Sequence, residues 1–150
     1  GLTEKEAEDL ELAHRLSDLL QGKGVDYTRF FRALSSVARD GDDSVRRLFA
    51  DPGESPVGFD DWLESYLLRL SRETVEPLIR SAAMDAVNPV YIPRNHKVEE
   101  ALEAAVEGDM APFDELLSLV TAPFVEQDGR DAYAQPAPDD FGRYVTYCGT

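Results

Sequence analysis

Apolar side chains recur every three or four residues in short blocks, and glycine or proline closes most of these blocks. The first block carries Ala7, Leu10, Ala13, Leu16 and Leu20. This spacing puts the apolar residues on one face of an α-helix, and the glycines that follow, Gly22 and Gly24, favour the left-handed conformation in which helices end. Because this helical spacing recurs along most of the chain, an all-α fold is predicted.

Further blocks of the same kind fill the chain up to residue 122. They cover residues 27–38, 44–49, 62–70, 74–88, 98–105 and 113–120. The block at residues 27–38 is expected to stop at Asp40-Gly41. Predicted caps at the starts of these helices are Thr3 (with Glu6 in a capping box), Asp26, Asp60 or Asp61, and Asn95. Thr74 is expected to begin its helix. Helices with short connections pack antiparallel, so residues 1–122 should form a bundle or array of about six to seven helices.

Residues 123–150 have a different character. Pro123, Pro136 and Pro138 oppose regular helix. The same stretch carries five aromatic residues, Phe124, Tyr133, Phe141, Tyr144 and Tyr147, and aromatic side chains usually bury a large apolar area. We therefore expect an extended arm that lies on a surface, with a short strand at residues 144–147.

Charge and cysteine content narrow the possible functions. The chain has 30 acidic and 15 basic residues, a net charge of −15, which argues against nucleic-acid and membrane partners. No run approaches the length of a membrane span, and a cytoplasmic location is expected. Cys148 is the one cysteine. It fits a reducing compartment, or pairing with a cysteine outside this segment, and a thiol so close to the acidic chain end needs a nearby cation to be reactive.

Several short motifs suggest chemistry that the rest of the sequence does not support. Asp140-Phe141-Gly142 matches the metal-binding tripeptide of protein kinases, but too little chain follows it for an activation segment. The histidines, His14 and His96, are not at metal-ligand spacing from each other or from Cys148, and both are expected at the surface. No catalytic, cofactor-binding or metal site is therefore predicted within this segment.

Two ordered blocks carry a family resemblance. One is residues 26–35, and the other is residues 88–95, Asn-Pro-Val-Tyr-Ile-Pro-Arg-Asn, which continues into residues 98–102 and 107–109. With Pro123-Phe124, a Tyr-x-x-Pro segment from Tyr133, and the terminal Cys148-Gly149-Thr150, the chain resembles the C-terminal part of the selenoprotein O-like family. Gly149 departs from the family, which often has serine or selenocysteine there.

The resemblance implies a parent protein with a kinase-like fold that transfers AMP from ATP to hydroxyl side chains of other proteins. It implies ATP and Mg²⁺ or Mn²⁺ as cofactors of that parent, bound by residues outside this segment. The partners it implies are the kinase-like core of the same polypeptide and the protein substrates. Cys148 becomes a candidate redox residue that pairs with the core. Asn88, Pro89, Arg94 and Asn95 are expected to be structural, with Arg94 in a buried ion pair and Asn95 as a helix cap.

A second interpretation comes from the composition alone. An acidic chain of short amphipathic helices is also typical of a free-standing interaction module with no link to catalysis. The presence of a kinase-like region in the same gene would distinguish the two.

Overall fold

A computed structural model of the chain describes residues 1–49, 55–138 and 141–142. Over these residues the backbone forms seven α-helices and one short 3-10 helix. The chain divides into two compact units, Gly1–Asn88 and Pro89–Thr150, called here the first and the second unit. The predicted all-α fold is confirmed. The strand predicted at residues 144–147 lies outside the described residues.

The first unit consists of two packed helix pairs around an aromatic core. Its elements are α1 (Asp9–Leu20), α2 (Tyr27–Asp40), a 3-10 helix (Arg46–Leu48), α3 (Phe59–Leu70) and α4 (Pro77–Asp85). Helix α1 packs on α3, and α2 packs on α4. The rings of Trp62 and Tyr66 stack with centroids 5.3 Å apart, and the Trp62 indole N–H donates to the Leu12 carbonyl at 2.9 Å. The buried indole is thus satisfied by α1, which fixes α1 on α3.

Helix α2 begins and ends where its sequence predicts. The Asp26 carboxylate accepts a hydrogen bond from the Arg29 amide at 3.0 Å, as an N-cap does. The helix stops at Gly41, whose φ of +67° is readily adopted only by glycine.

Two other predicted caps are wrong in the first unit. Thr3 does not cap α1, which begins at Asp9; instead its amide and hydroxyl both donate to the Glu73 carboxylate. Asp60 and Asp61 lie inside the first turn of α3, because the turn at Gly58, with φ of +86°, already starts that helix. Local spacing does not reveal the hydrogen bonds of Thr3, because Glu73 is distant in the sequence.

The start predicted for α4 is also wrong. That helix begins at Pro77 rather than at Thr74. Proline suits the first helical position, because the amide it lacks would have no partner there.

The second unit is smaller and contains α5 (Asn95–Val106), α6 (Ala111–Thr121) and the single turn α7 (Asp131–Ala134). Helices α5 and α6 pack together. The predicted arm, residues 123–150, begins inside this unit and includes α7, so part of it is helical. In the part of the chain that the structure describes, no helix has the length and apolarity needed to cross a membrane.

Candidate functional site

The Asn-Pro to Arg-Asn segment, residues 88–95, crosses the division between the two units. At its first residue, the Asn88 amide donates to the Met84 carbonyl at 3.0 Å. The Asn88 carbonyl accepts from Arg32 at 3.2 Å, and the same Arg32 nitrogen donates to the Asp85 carbonyl at 2.9 Å. Asn88 therefore closes α4 and ties it to α2, and Pro89 opens the second unit.

Arg94 and Asn95 stand at the start of α5. The Arg94 guanidinium donates to the Ala134 carbonyl in α7 at 2.9 Å. Its predicted ion pair stays a prediction. Asn95 is exposed and is itself the first residue of α5, whose N-cap position is Arg94 and has no side-chain cap. The cap predicted at Asn95 is therefore wrong, because the helix starts one residue earlier than such a cap requires.

Further bonds hold residues 123–134 within the second unit. The Gln127 amide donates to the Tyr91 hydroxyl oxygen at 2.9 Å. The Tyr133 hydroxyl donates to Glu115 at 3.0 Å, and Arg130 pairs with the same carboxylate at 2.7 Å. Burial, followed by the hydrogen bond to Glu115, raises the pKa of Tyr133. These side chains serve as positioning groups for the chain that follows α6.

The histidines behave differently from each other. His14 is exposed, as predicted. The surface position predicted for His96 is wrong: it is 5% exposed, and its ring contacts the Phe141 ring edge-on at 5.8 Å. Burial, with the nearby charge of Lys97, lowers the pKa of His96. A partner 45 positions further along the chain buries this residue, and no local pattern indicates it.

No described residues form a group of three or more metal-ligating side chains. Asp140, the first residue of the kinase-like tripeptide, and the redox candidate Cys148 lie outside the described residues.

The first unit contains a cavity of about 550 Å³. Its walls are mainly apolar and include Leu12, Leu16, Phe31, Leu34, Trp62 and Met84. A volume of a few hundred cubic ångströms, with an apolar lining and few polar groups, is typical of small-molecule sites.

Two buried polar side chains line this cavity, Tyr66 and Arg80, which are 5% and 6% exposed. Arg80 donates through one Nη to the Leu70 carbonyl at 2.9 Å, at the C-terminus of α3. Within the described residues its Nε and the Tyr66 hydroxyl have no hydrogen-bond partner. Burial raises the pKa of Tyr66 to about 12, against the opposing charge of Arg80. The cavity wall thus holds a buried cation beside a neutral hydroxyl.

A second buried arginine, Arg69, has its charge fully matched. Its Nε lies 2.7 Å from Asp9 and its Nη1 lies 2.7 Å from Glu73. Hydrogen bonds from the Thr3 hydroxyl, then from the Thr3 amide and Arg69, hold the pKa of Glu73 at about 2 despite desolvation. The hydrogen bond from Arg69, and next that from the Glu6 amide, lowers the pKa of Asp9. This cluster fastens residues 3–9 to α3.

Sequence reasoning missed Arg80. It stands four residues before buried Met84, so it occupies the inner face of α4. Its neighbours Leu78 and Ile79 are 68% and 63% exposed, which inverts the usual amphipathic order. The spacing of four residues between Arg80 and Met84 is compatible with a shared buried face, but the apolar pair Leu78 and Ile79 favours another face, so the sequence alone does not single out Arg80.

Comparisons with known proteins bear on the whole chain. A family model described as "Protein adenylyltransferase SelO" matches residues 1–121. A "Protein nucleotidyltransferase YdiU" of Mycobacterium sp. (strain KMS) is 52% identical over 139 residues, covering 93% of this chain and 26% of that protein. The protein of the same name from Sphingopyxis alaskensis is 45% identical over 150 residues, covering 100% of this chain and 30% of that protein. The chain spans less than a third of the length of these relatives.

Proposed function

Because the chain belongs to the SelO family of protein adenylyltransferases, we propose that it forms a helical, non-catalytic part of a longer enzyme. In the reaction proposed for that enzyme, a protein hydroxyl oxygen bonds to the α-phosphorus of ATP, its proton leaves to a base, and pyrophosphate departs. The match of the family model over residues 1–121 carries this proposal. The two relatives named nucleotidyltransferases support it.

The non-catalytic role rests on how the polar residues of the family segment are used. The Arg94 guanidinium donates a hydrogen bond to a backbone carbonyl of α7. The Asn88 backbone carbonyl accepts a hydrogen bond from the Arg32 guanidinium. Groups engaged in this way position helices rather than substrate. We place ATP, its Mg²⁺ or Mn²⁺ and the protein substrates on a kinase-like core of the same polypeptide, and the enzyme in the cytoplasm.

The proposal is tested by following transfer of α-labelled AMP. The whole enzyme should label itself or added proteins in the presence of Mg²⁺ or Mn²⁺, whereas residues 1–150 alone should label nothing at the same concentration. Transfer by the isolated chain would contradict the non-catalytic role. Absence of any transfer by the whole enzyme, with no pyrophosphate released either, would contradict the activity.

We also propose a redox role for Cys148. Its thiol and one thiol of the core would form a disulfide by exchange with a low-molecular-weight disulfide, which takes up the two electrons and two protons and leaves as two thiols. On a non-reducing gel the oxidised whole enzyme should migrate faster than the reduced form. Cys148→Ser should abolish this difference, and an unchanged difference would refute the role.

A further inference from the structure

The cavity of the first unit combines features that point to one class of ligand. Its walls are apolar and aromatic, and Tyr66 and Arg80 are the buried groups on those walls with unused hydrogen-bonding capacity within the described residues. We propose that this cavity binds an apolar monocarboxylate, with the carboxylate on Arg80 and Tyr66 and the hydrocarbon body against Trp62 and its apolar neighbours.

The buried charge of Arg80 favours an anionic ligand. A guanidinium that is 6% exposed carries a large desolvation cost unless an anion or several acceptors compensate it. Arg80 has a single described acceptor, the Leu70 carbonyl, and forms no ion pair with any residue that the structure describes. Arg69, equally buried, contacts three carboxylates, so the same unit shows what a compensated arginine looks like.

The remaining acidic group on the wall does not oppose an anion strongly. Asp9 also lines the cavity, but both of its carboxylate oxygens accept hydrogen bonds from Arg69, at 2.7 and 3.3 Å. Its charge is therefore balanced by a neighbour. The Tyr66 hydroxyl stays protonated at neutral pH and can donate to an anion.

The size and the apolar lining of the cavity favour a ligand with a hydrocarbon body. A volume of about 550 Å³ exceeds what a bare anion such as acetate or phosphate needs, and the apolar wall would solvate such an ion poorly. A hydrocarbon chain or ring attached to the carboxylate fills the volume and gains from the transfer of its apolar surface out of water. Arginine suits the head group because its planar fork matches a carboxylate.

The single tryptophan of the chain makes the test direct. Trp62 is on the cavity wall, so its emission reports occupancy. Decanoate, below its micelle concentration, should change Trp62 emission saturably. Decan-1-ol, which has the same body and no charge, should bind at least about tenfold more weakly, and decylammonium should not bind.

Variants distinguish specific carboxylate binding in the cavity from nonspecific hydrophobic binding. Arg80→Gln should weaken decanoate binding about tenfold or more while leaving the alcohol unchanged. Arg39→Gln removes a 40%-exposed arginine that does not line the cavity and should have no effect. Because Arg80 also caps α3, Arg80→Gln could unfold; Tyr66→Phe removes a hydroxyl with no described partner and should fold normally, with decanoate affinity reduced several-fold.

Equal affinities for decanoate and decan-1-ol would overturn the proposal, as would absence of saturable binding. Unchanged decanoate affinity in folded Tyr66→Phe and Arg80→Gln proteins, with helix content verified by circular dichroism, would also overturn it. These outcomes are independent of AMP transfer, so this inference and the proposed function can fail separately.

Discussion

The two units are stabilised in different ways. In the first unit three large aromatic side chains, Phe30, Phe59 and Trp62, are at most 2% exposed and pack on one another. In the second unit the buried apolar residues among those described are Tyr91, Ala101, Leu116 and Leu119. Hydrogen bonds between side chains and distant backbone groups join its segments. Substitutions in the aromatic core should therefore affect the first unit most, and loss of single hydrogen bonds should matter more in the second.

The largest effect is expected in the aromatic core. Phe59 is fully buried, so Phe59→Ala should lower the free energy of unfolding by about 3–5 kcal/mol. Phe113→Ala in α6, where the side chain is 38% exposed, is the matched control and should cost much less. Urea unfolding followed by Trp62 fluorescence and by circular dichroism measures both. Equal losses for the two variants would remove the distinction between the cores.

Truncation of a side chain at the centre of the smaller core should also destabilise the second unit. Leu119 is 1% exposed, so Leu119→Ala should lower the free energy of unfolding by about 2–5 kcal/mol. Leu117→Ala lies two residues earlier on the same helix at 47% exposure and should cost under about 1 kcal/mol. Amide hydrogen exchange in α5 and α6 reports the loss. If Leu117→Ala were the more damaging change, the described packing of α6 would be wrong.

The family arginine tests the role of hydrogen bonds in the second unit. Arg94→Gln should cost about 1.5–3 kcal/mol, because a charged donor to the Ala134 carbonyl is lost. Faster amide exchange at residues 131–134 should accompany this loss. Asn95→Ala should cost under about 0.5 kcal/mol, since Asn95 is exposed and caps nothing. A loss of about 1 kcal/mol from Asn95→Ala would restore it as a helix cap.

The last prediction concerns the pH dependence of stability rather than a large loss of stability at one pH. Glu73 has a folded-state pKa of about 2 and an ordinary value of 4.5. Because the folded value is the lower one, Glu73 stabilises the fold above pH 4.5, and this contribution disappears as the pH falls towards 2. Glu73→Gln should therefore be less stable than the unmodified chain at pH 7, and the two should converge near pH 2.

Thermal unfolding from pH 7 to pH 2, followed by Trp62 fluorescence, checks this. Glu76→Gln, at an exposed carboxylate in the same loop, is the control and should leave the profile unchanged. A constant difference between Glu73→Gln and the unmodified chain across the range would contradict the assigned role of Glu73.

Features encoded within a few residues were predictable. The Asp26 cap and the end of α2 at Gly41 depend on local backbone geometry, and both were predicted correctly. Thr3 and His96 were misjudged because their partners, Glu73 and Phe141, are 70 and 45 positions away. The start of α3 was misjudged because the turn at Gly58 precedes the helix, so that Asp60 and Asp61 lie inside its first turn.

The two candidate sites also differ in how far the sequence could indicate them. Residues 88–95 were found through their resemblance to a family, and periodicity alone did not single them out. Arg80 was overlooked because its importance comes from packing: only the fold reveals that an arginine, rather than the adjacent Leu78 and Ile79, faces the interior. A local pattern cannot report which side of a short helix such as α4 another helix covers.

We propose above that this chain supports a nucleotide-transferring enzyme without binding the nucleotide itself. Calorimetric titration of residues 1–150 with ATP and Mg²⁺ tests it most directly. We expect no binding heat for the isolated chain at ATP concentrations that saturate the whole enzyme. Micromolar, magnesium-dependent binding of ATP by the isolated chain would contradict it.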